Sequence, residues 1–283
     1  NIGLLKKGKD PNWKDNPLQD DTNKYLAASP IVEIDSNPNL SATSIQTYNE
    51  CPLKYKYRFI DKIPGALEKP YFQLGKVIHK VLEIFHDKDY KTLEDLTILL
   101  DKYWKEGGYQ YEQEKEQNRQ DAEKMLKNYW EYIQINPVEK LYTEHWFTFI
   151  TDYAILSGKC DRIDCDENEN ISIIDYKTSK RAKTERELKK DVQLGIYALF
   201  MLLSGVNDIN KKKIKKIPNK MSLLFLRADD PEVTVKFSHS DLDNFEERLR
   251  VISDGIRKGE FSACKGKYCE WCDYRDLLCP EFG

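Results

Sequence analysis

The chain has 283 residues, of which 40% are hydrophobic and 33% are charged, as in a soluble globular protein of one large or two ordinary domains. Its 45 basic and 48 acidic residues give a net charge of −3. This balance excludes a histone-like protein, so any surface that binds a polyanion must be local. No run of about eighteen apolar residues predicts a membrane span, and residues 1–7 lack the pattern of a secretory signal. We expect a cytoplasmic protein with no membrane partner.

The first forty residues show neither helical nor strand periodicity and are predicted to be an extended arm or linker. They contain four prolines among Asp, Asn and Lys: Pro11, Pro17, Pro30 and Pro38. The chain begins with Asn1 rather than Met. Either a domain cut from a longer protein or a trimmed tag would explain this start.

Helical patterns dominate the next hundred residues. Ser41 is a predicted N-cap for a helix that reaches Cys51, and residues 74–85 form an amphipathic pattern with period 3.6. The charged segments near 93–106 and 109–135 predict two further helices. Together these two helices define a helical insertion over about 90–136.

Strand patterns follow Pro137, and they define a catalytic core over about 141–237. The predicted order is three strands, a helix, two strands and a helix: 144–150, 154–164, 171–177, 184–203, 222–227, 232–237 and 240–258. Ser240 or Asp241 is the predicted cap of the last helix. This order predicts an α/β fold with a mixed central sheet flanked by helices.

A carboxylate and a lysine stand side by side on one predicted strand. Asp175 and Lys177 are two residues apart and so project from the same face. Asp161 lies on the preceding strand, and if the two strands pair, both carboxylates can bind one Mg²⁺ ion. Such a site suits phosphodiester hydrolysis, because the ion activates water and Lys177 stabilises the developing negative charge. For the D-x-K triplet alone, a surface ion pair is the alternative interpretation.

Four motifs occur in order along residues 41–283: Gly75-x-x-x-His79, Gly158-x-x-Asp161-Arg162-Ile163-Asp164, Asp175-Tyr176-Lys177-Thr178 and Gln193-x-x-x-Tyr197. Together they resemble the RecB-type branch of the PD-(D/E)XK nuclease superfamily, which includes AddB-like and Cas4-like nucleases. The resemblance implies a restriction-endonuclease-like core that carries a helical insertion and an iron–sulfur staple.

The resemblance also implies a metal centre. His79, Asp161 and Asp175 would ligate Mg²⁺ or Mn²⁺, with the backbone carbonyl of Tyr176 as a further ligand. Lys177 would be the catalytic lysine and would act with Asp161 and Asp175.

Further residues are implied to support this site. Gln193 and Tyr197 would contact DNA or order the lysine. Two other carboxylates are candidates from their positions: Glu83 shares a helix face with His79 and would orient it, and Glu144 would approach from the first strand.

Cysteines cluster near the C-terminus, within 264–279. Cys269, Cys272 and Cys279 provide three thiolates, one short of a tetrahedral zinc site or a four-cysteine iron–sulfur cluster. From spacing alone Cys264 is the natural fourth ligand. Three other cysteines remain candidates: Cys51, Cys160 and Cys165.

The family resemblance favours a different fourth ligand. In the iron–sulfur members of the RecB-type branch, a Cys-Pro pair such as Cys51-Pro52 joins the three C-terminal cysteines around a 4Fe–4S cluster. Zn²⁺ is the alternative metal. The last gap, 273–278, has six residues, whereas the family more often has five.

The resemblance implies a divalent-metal-dependent DNA exonuclease, with endonuclease activity also open. It would act on single strands or free ends in DNA end processing, recombination and repair. The expected setting is a helicase-nuclease of the UvrD or AddAB type, with the helicase in cis or as a subunit. Two alternatives are a stand-alone Cas4-like CRISPR nuclease and a catalytically silent DNA-binding module with a metal-stapled fold.

Overall fold

The computed structural model describes residues 36–65, 70–104 and 111–282. Most of the arm predicted over 1–40 therefore lies outside the described residues. Its last two residues, Asn39–Leu40, form strand β1, and Leu40 is fully buried. The folded domain thus begins before the predicted boundary at residue 41.

Six helical elements follow β1 in the first half of the chain: α1 Ala42–Glu50, α2 Pro52–Tyr55, a π-helical turn Lys56–Ile60, α3 Pro70–Asp87, α4 Leu93–Tyr103 and α5 Glu112–Ile135. The second half contains seven strands, three helices and a 3₁₀ turn: β2 Lys140–Ile150, β3 Ile155–Cys165, β4 Ile171–Lys177, α6 Glu185–Leu188, α7 Val192–Leu203, β5 Val206–Asn207, β6 Lys213–Ile214, β7 Lys220–Phe225, β8 Glu232–Val235, α8 His239–Arg257 and the 3₁₀ turn Lys267–Trp271. Within the described ranges, no helix has the length and apolar character needed to cross a bilayer.

Two predicted helix boundaries are wrong, and capping explains both. The helix predicted over 184–203 is broken into α6 and α7, because the Asp191 carboxylate accepts hydrogen bonds from the first N–H groups of α7 and so starts a new helix. Helix α8 is capped by Ser238 rather than by Ser240 or Asp241. Ser238 and Asp241 bond each other's backbone N–H groups in a capping box.

The central sheet has six strands in the order β1-β3-β4-β7-β8, with β2 paired to β3. The β1–β3 and β4–β7 pairs are parallel, and the β2–β3, β3–β4 and β7–β8 pairs are antiparallel. The predicted α/β fold with a mixed central sheet flanked by helices is therefore confirmed.

Two hydrophobic cores cover the two faces of this sheet. On β4, Ile173 belongs to one core whereas Ile174 and Tyr176 belong to the other, as expected when successive side chains alternate. Residues of α1, α7 and α8 build the first core, and residues of α3, α4 and α5 build the second. Helices α4 and α5, which the sequence predicts as a helical insertion, therefore supply part of the core on one sheet face.

The edge of β3 that faces β4 is only partly paired. It pairs with β1 at Ile155 and Leu156 and with β4 from Arg162 to Cys165. In the described part of the chain, no strand pairs with this edge between those two stretches. The sheet therefore has a local opening beside residues 157–161. Asp161 lies at the end of this opening where β3 begins to pair with β4.

Gly158 lies in this stretch of β3, close to the ring of Phe147. A Cβ at position 158 would lie 2.6 Å from Cζ of Phe147, and that ring is stacked on Phe200 with centroids 4.2 Å apart. We expect Gly158→Ala to lower the free energy of unfolding by about 1–3 kcal/mol, measured by urea denaturation. Gly266→Ala is the control, since an added Cβ there meets no atom within 4 Å. Equal stability of the two variants would contradict this account of the packing.

Candidate active site

The carboxylate of Asp161 bridges the opening between β3 and β4. Its Oδ2 accepts a hydrogen bond from the backbone N–H of Tyr176 at 2.8 Å, and its Oδ1 lies 3.2 Å from Nδ1 of His79. The side chain is only 6% exposed. Asp161 therefore connects both strands to α3 at the point where the strand backbones stop pairing.

Helix α3 places His79 over this opening. Its buried residues recur every three or four positions between Leu74 and Phe85, which fixes the helix against the sheet. The His79 ring lies edge-on to Tyr176, with centroids 6.0 Å apart. Burial lowers the pKa of His79, but the charge and hydrogen bond of Asp161 outweigh it, so the net pKa is raised.

Glu144 on β2 is the third member of this group. The ligating atoms of His79, Glu144 and Asp161 all lie within 4.8 Å of one another. Glu144 has a backbone φ of 46°, which is uncommon for a residue other than glycine, and its carboxylate forms an ion pair with Lys159. Strained backbone of this kind is found at functional sites, and together with the grouping it makes Glu144 a candidate ligand.

Asp175 lies on the other side of the opening and is 1% exposed. Its Oδ1 accepts a hydrogen bond from Nε2 of Gln193 at 2.7 Å and lies 3.1 Å from the Tyr197 hydroxyl. Its Oδ2 lies 2.5 Å from Nζ of Lys177. Burial raises the pKa of Asp175, and the charge of Lys177 only partly opposes this effect.

Gln193 and Tyr197 lie one turn apart on α7 and form the wall beside Asp175. The Lys177 ammonium donates to Oε1 of Gln193 at 2.8 Å, and the Gln193 amide donates to the Tyr197 hydroxyl at 2.6 Å. That hydroxyl also lies 2.6 Å from the carbonyl oxygen of Lys159 on β3. Gln193 therefore orients the lysine and the carboxylate together.

The structure thus brings the predicted site residues together at one opening: His79, Asp161, Asp175, Tyr176, Lys177, Gln193 and Tyr197. It adds Glu144 to His79 and Asp161, whereas Asp175 lies outside that closest group. Glu83 is expected to orient His79. In the structure both of its carboxylate oxygens accept hydrogen bonds from Nζ of Lys80 at 2.8 Å.

A family model of the PD-(D/E)XK nuclease superfamily matches residues 39–280. The chain belongs to this superfamily. The match covers β1 through the cysteine-rich C-terminal segment, so it includes every residue of the site.

Solved structures similar to this PD-(D/E)XK protein share little sequence with it. A protein of Eubacterium rectale, provisionally called an exonuclease, has 11% identity and a TM-score of 0.53, with 85% of this chain and 89% of that one covered. The protein SSO0001 has 12% identity, a TM-score of 0.39 and coverages of 94% and 95%. VC1899 from Vibrio cholerae has 12% identity, a TM-score of 0.23 and coverages of 77% and 56%. The comparison with curated proteins found no match. The first of these similarities supports the same fold.

The PD-(D/E)XK site rests on a buried polar network that the sequence did not reveal. Arg162 is 2% exposed. Its Nη1 donates to the Tyr129 hydroxyl at 2.8 Å, and its Nε lies 3.0 Å from Oδ1 of Asp164. Burial and the charge of Arg162 lower the pKa of His86, which also contacts Tyr129, to about 3. At neutral pH the network therefore contains a neutral imidazole beside a buried ion pair.

This network holds the strand that carries Asp175 and Lys177. The Tyr176 hydroxyl lies 3.3 Å from that of Tyr129 and 3.5 Å from Nη1 of Arg162. The side chain of Tyr176 is thus fixed on one sheet face while its neighbours project from the other.

The C-terminal cysteines of this PD-(D/E)XK protein lie in a second region. Five thiols line a common pocket, and all are free: Cys51, Cys264, Cys269, Cys272 and Cys279. The predicted ligands therefore share one pocket with the alternative ligand Cys264. Cys160 is instead buried in the first core, and Cys165 packs against that core.

We expect Arg162→Met to lower the free energy of unfolding by about 3–5 kcal/mol, because Asp164 is left buried without its cation. Urea denaturation followed by circular dichroism measures the loss. Arg181→Met is the control, since Arg181 is 80% exposed and its pair with Glu187 lies at the surface. Such pairs contribute little to stability. Equal losses in the two variants would contradict a special role for the buried network.

Proposed function

We propose that the chain is a divalent-metal-dependent DNA nuclease that hydrolyses phosphodiester bonds, acting mainly as an exonuclease on single strands or free ends. The grouping of His79, Glu144 and Asp161 within 4.8 Å, beside the Asp175–Lys177 pair, carries this proposal. The two carboxylates are donors that suit Mg²⁺ or Mn²⁺. The provisional exonuclease name of the structural neighbour agrees with this activity.

The residues at the opening fit such an ion. His79, Glu144 and Asp161 would hold it, with Asp175 and the Tyr176 carbonyl as further ligands. When bound, the ion supplies Lewis-acid activation of the phosphate and of an attacking water.

Lys177 would be the catalytic lysine of this site. An ammonium has three N–H donors, and Asp175 and Gln193 account for two of them. The third can reach the attacking water or a phosphate oxygen, where it stabilises negative charge in the transition state. Gln193 and Tyr197 keep Asp175 in place during this step.

We expect Asp161→Asn, Asp175→Asn and Lys177→Met each to lower the cleavage rate by about 100- to 1000-fold, because each removes charge at the reacting phosphate. The measurement is hydrolysis of end-labelled single-stranded DNA in Mg²⁺ or Mn²⁺, with EDTA as the metal-free reaction. Asp243→Asn, on the exposed side of α8, is the matched control and should keep the parent rate. Full activity in folded Asp175→Asn and Lys177→Met variants would reject the proposal.

The second part of the proposal is a 4Fe–4S cluster held by Cys51, Cys269, Cys272 and Cys279. These four thiols line one pocket together with that of Cys264. Zn²⁺ held by Cys264 and the three C-terminal thiols is the alternative.

The cluster would have a structural role. Its pocket lies where the two ends of the domain meet, because the Tyr57 hydroxyl donates to the carbonyl of Leu278 at 2.8 Å and the Tyr274 hydroxyl donates to that of Ile63 at 2.9 Å. A cluster that joins Cys51 to the C-terminal thiols would close this long loop and restrict the unfolded chain.

We expect protein purified without oxygen to contain about four irons per chain and to lose them in Cys51→Ser and Cys272→Ser. Iron analysis and visible absorption measure this. Cys165→Ser is the control and should retain the iron. If Cys264→Ser lost the metal while Cys51→Ser kept it, the local zinc-knuckle alternative would replace the proposed ligand set.

The proposed setting is DNA end processing, recombination and repair beside a helicase, either in cis or as a separate subunit. The layout of the four motifs resembles that of helicase-fused nucleases, and a Cas4-like nuclease, the alternative, shares the same motifs. Seven cysteines outside disulfides fit a reducing cytoplasmic compartment.

A further inference from the structure

Trp146 is a large aromatic residue that stands open to solvent beside the candidate active site. It lies on β2, where Phe147 and Phe149 are buried in the core and the alternate residues are exposed. Trp146 itself is 73% exposed. Tryptophan is highly buried on average, so this exposure on a strand of the central sheet is unusual.

Lys159 connects this ring to the proposed metal ligands. Trp146 and Lys159 are directly opposite in the β2–β3 pair, and Nζ of Lys159 lies 5.4 Å from the centroid of the indole. The same ammonium pairs with the carboxylate of Glu144. One lysine therefore lies between the exposed ring and the group formed by His79, Glu144 and Asp161.

We propose that Trp146 is a stacking platform for one nucleobase of single-stranded DNA, with Lys159 beside it to contact a phosphate. The inference rests on the proposed nuclease function and specifies how the site selects its substrate. An aromatic face with an adjacent cation is a common arrangement for binding single strands without sequence preference. In a duplex each base is already stacked on its neighbours, so the ring favours unpaired DNA.

The exposed residues of β2 allow base stacking to be distinguished from apolar docking. Ile150 follows Trp146 on the same face of the strand and is 76% exposed. It has no ring and no lysine opposite, because its partner across the pair is Ile155. Stacking requires the ring of Trp146, whereas apolar docking would depend on both residues.

The test measures DNA affinity of the full chain by fluorescence anisotropy. The Asp175→Asn background in Mg²⁺ keeps the DNA intact. The probes are a labelled 15-nucleotide oligo(dT) and a labelled duplex of the same length. Trp146→Ala should weaken oligo(dT) binding by about 5- to 150-fold, the range for loss of one stacked base, with less than about a twofold change for the duplex. Trp146→Phe should restore most of the affinity.

Two matched variants serve as controls. Ile150→Ala should bind oligo(dT) like the parent, and Trp146→Leu, which keeps apolar bulk without an aromatic face, should bind as weakly as Trp146→Ala. Any of four results would overturn the inference. Trp146→Ala could leave the affinity unchanged, or weaken duplex and single-strand binding equally. The Trp146 and Ile150 variants could lose equal affinity, or the parent could fail to bind oligo(dT). Cleavage by the wild-type chain is scored separately, so active enzyme with unchanged Trp146→Ala binding rejects only the stacking site. A wild-type chain without cleavage rejects the nuclease function itself.

Discussion

The hydrogen bond from the Tyr176 backbone N–H to the Asp161 carboxylate is the contact on which the rest of the site depends. On the N-terminal side of Arg162 the strand β3 no longer pairs with β4. There the side chain of Asp161 bridges the two strands in place of backbone hydrogen bonds. The divergence therefore creates the opening, and Asp161 both holds it and lines it.

Each sheet face contributes differently to this opening. On one face, α7 supplies Gln193 to orient Asp175 and Lys177. On the other face, Tyr129 of α5 and Arg162 of β3 contact the buried Tyr176 hydroxyl. Strand β4 is thus held from both sides, and the proposed catalysis would require such preorganisation.

Features encoded by short-range patterns could be predicted from the sequence. Alternation on a strand indicated that Asp175 and Lys177 share a face, and the mixed sheet followed from the order of elements. Features set by long-range packing could not. One partner of Arg162, Tyr129, comes from the distant helix α5, and the placement of Glu144 involves a left-handed backbone conformation that no local pattern encodes. No local pattern encodes the break before α7, because Leu188 and Val192, on either side of the cap Asp191, keep the four-residue apolar spacing of a single helix.

The contact between the two ends of the domain has a consequence for how the chain is made. The Tyr57 hydroxyl and the carbonyl of Leu278 are 221 residues apart in sequence, so this contact cannot form during synthesis until almost the whole domain has left the ribosome. Contacts of such long sequence separation are slow to form. In the proposed cluster, Cys51 would therefore remain an unligated thiol until the C-terminal cysteines have been synthesised.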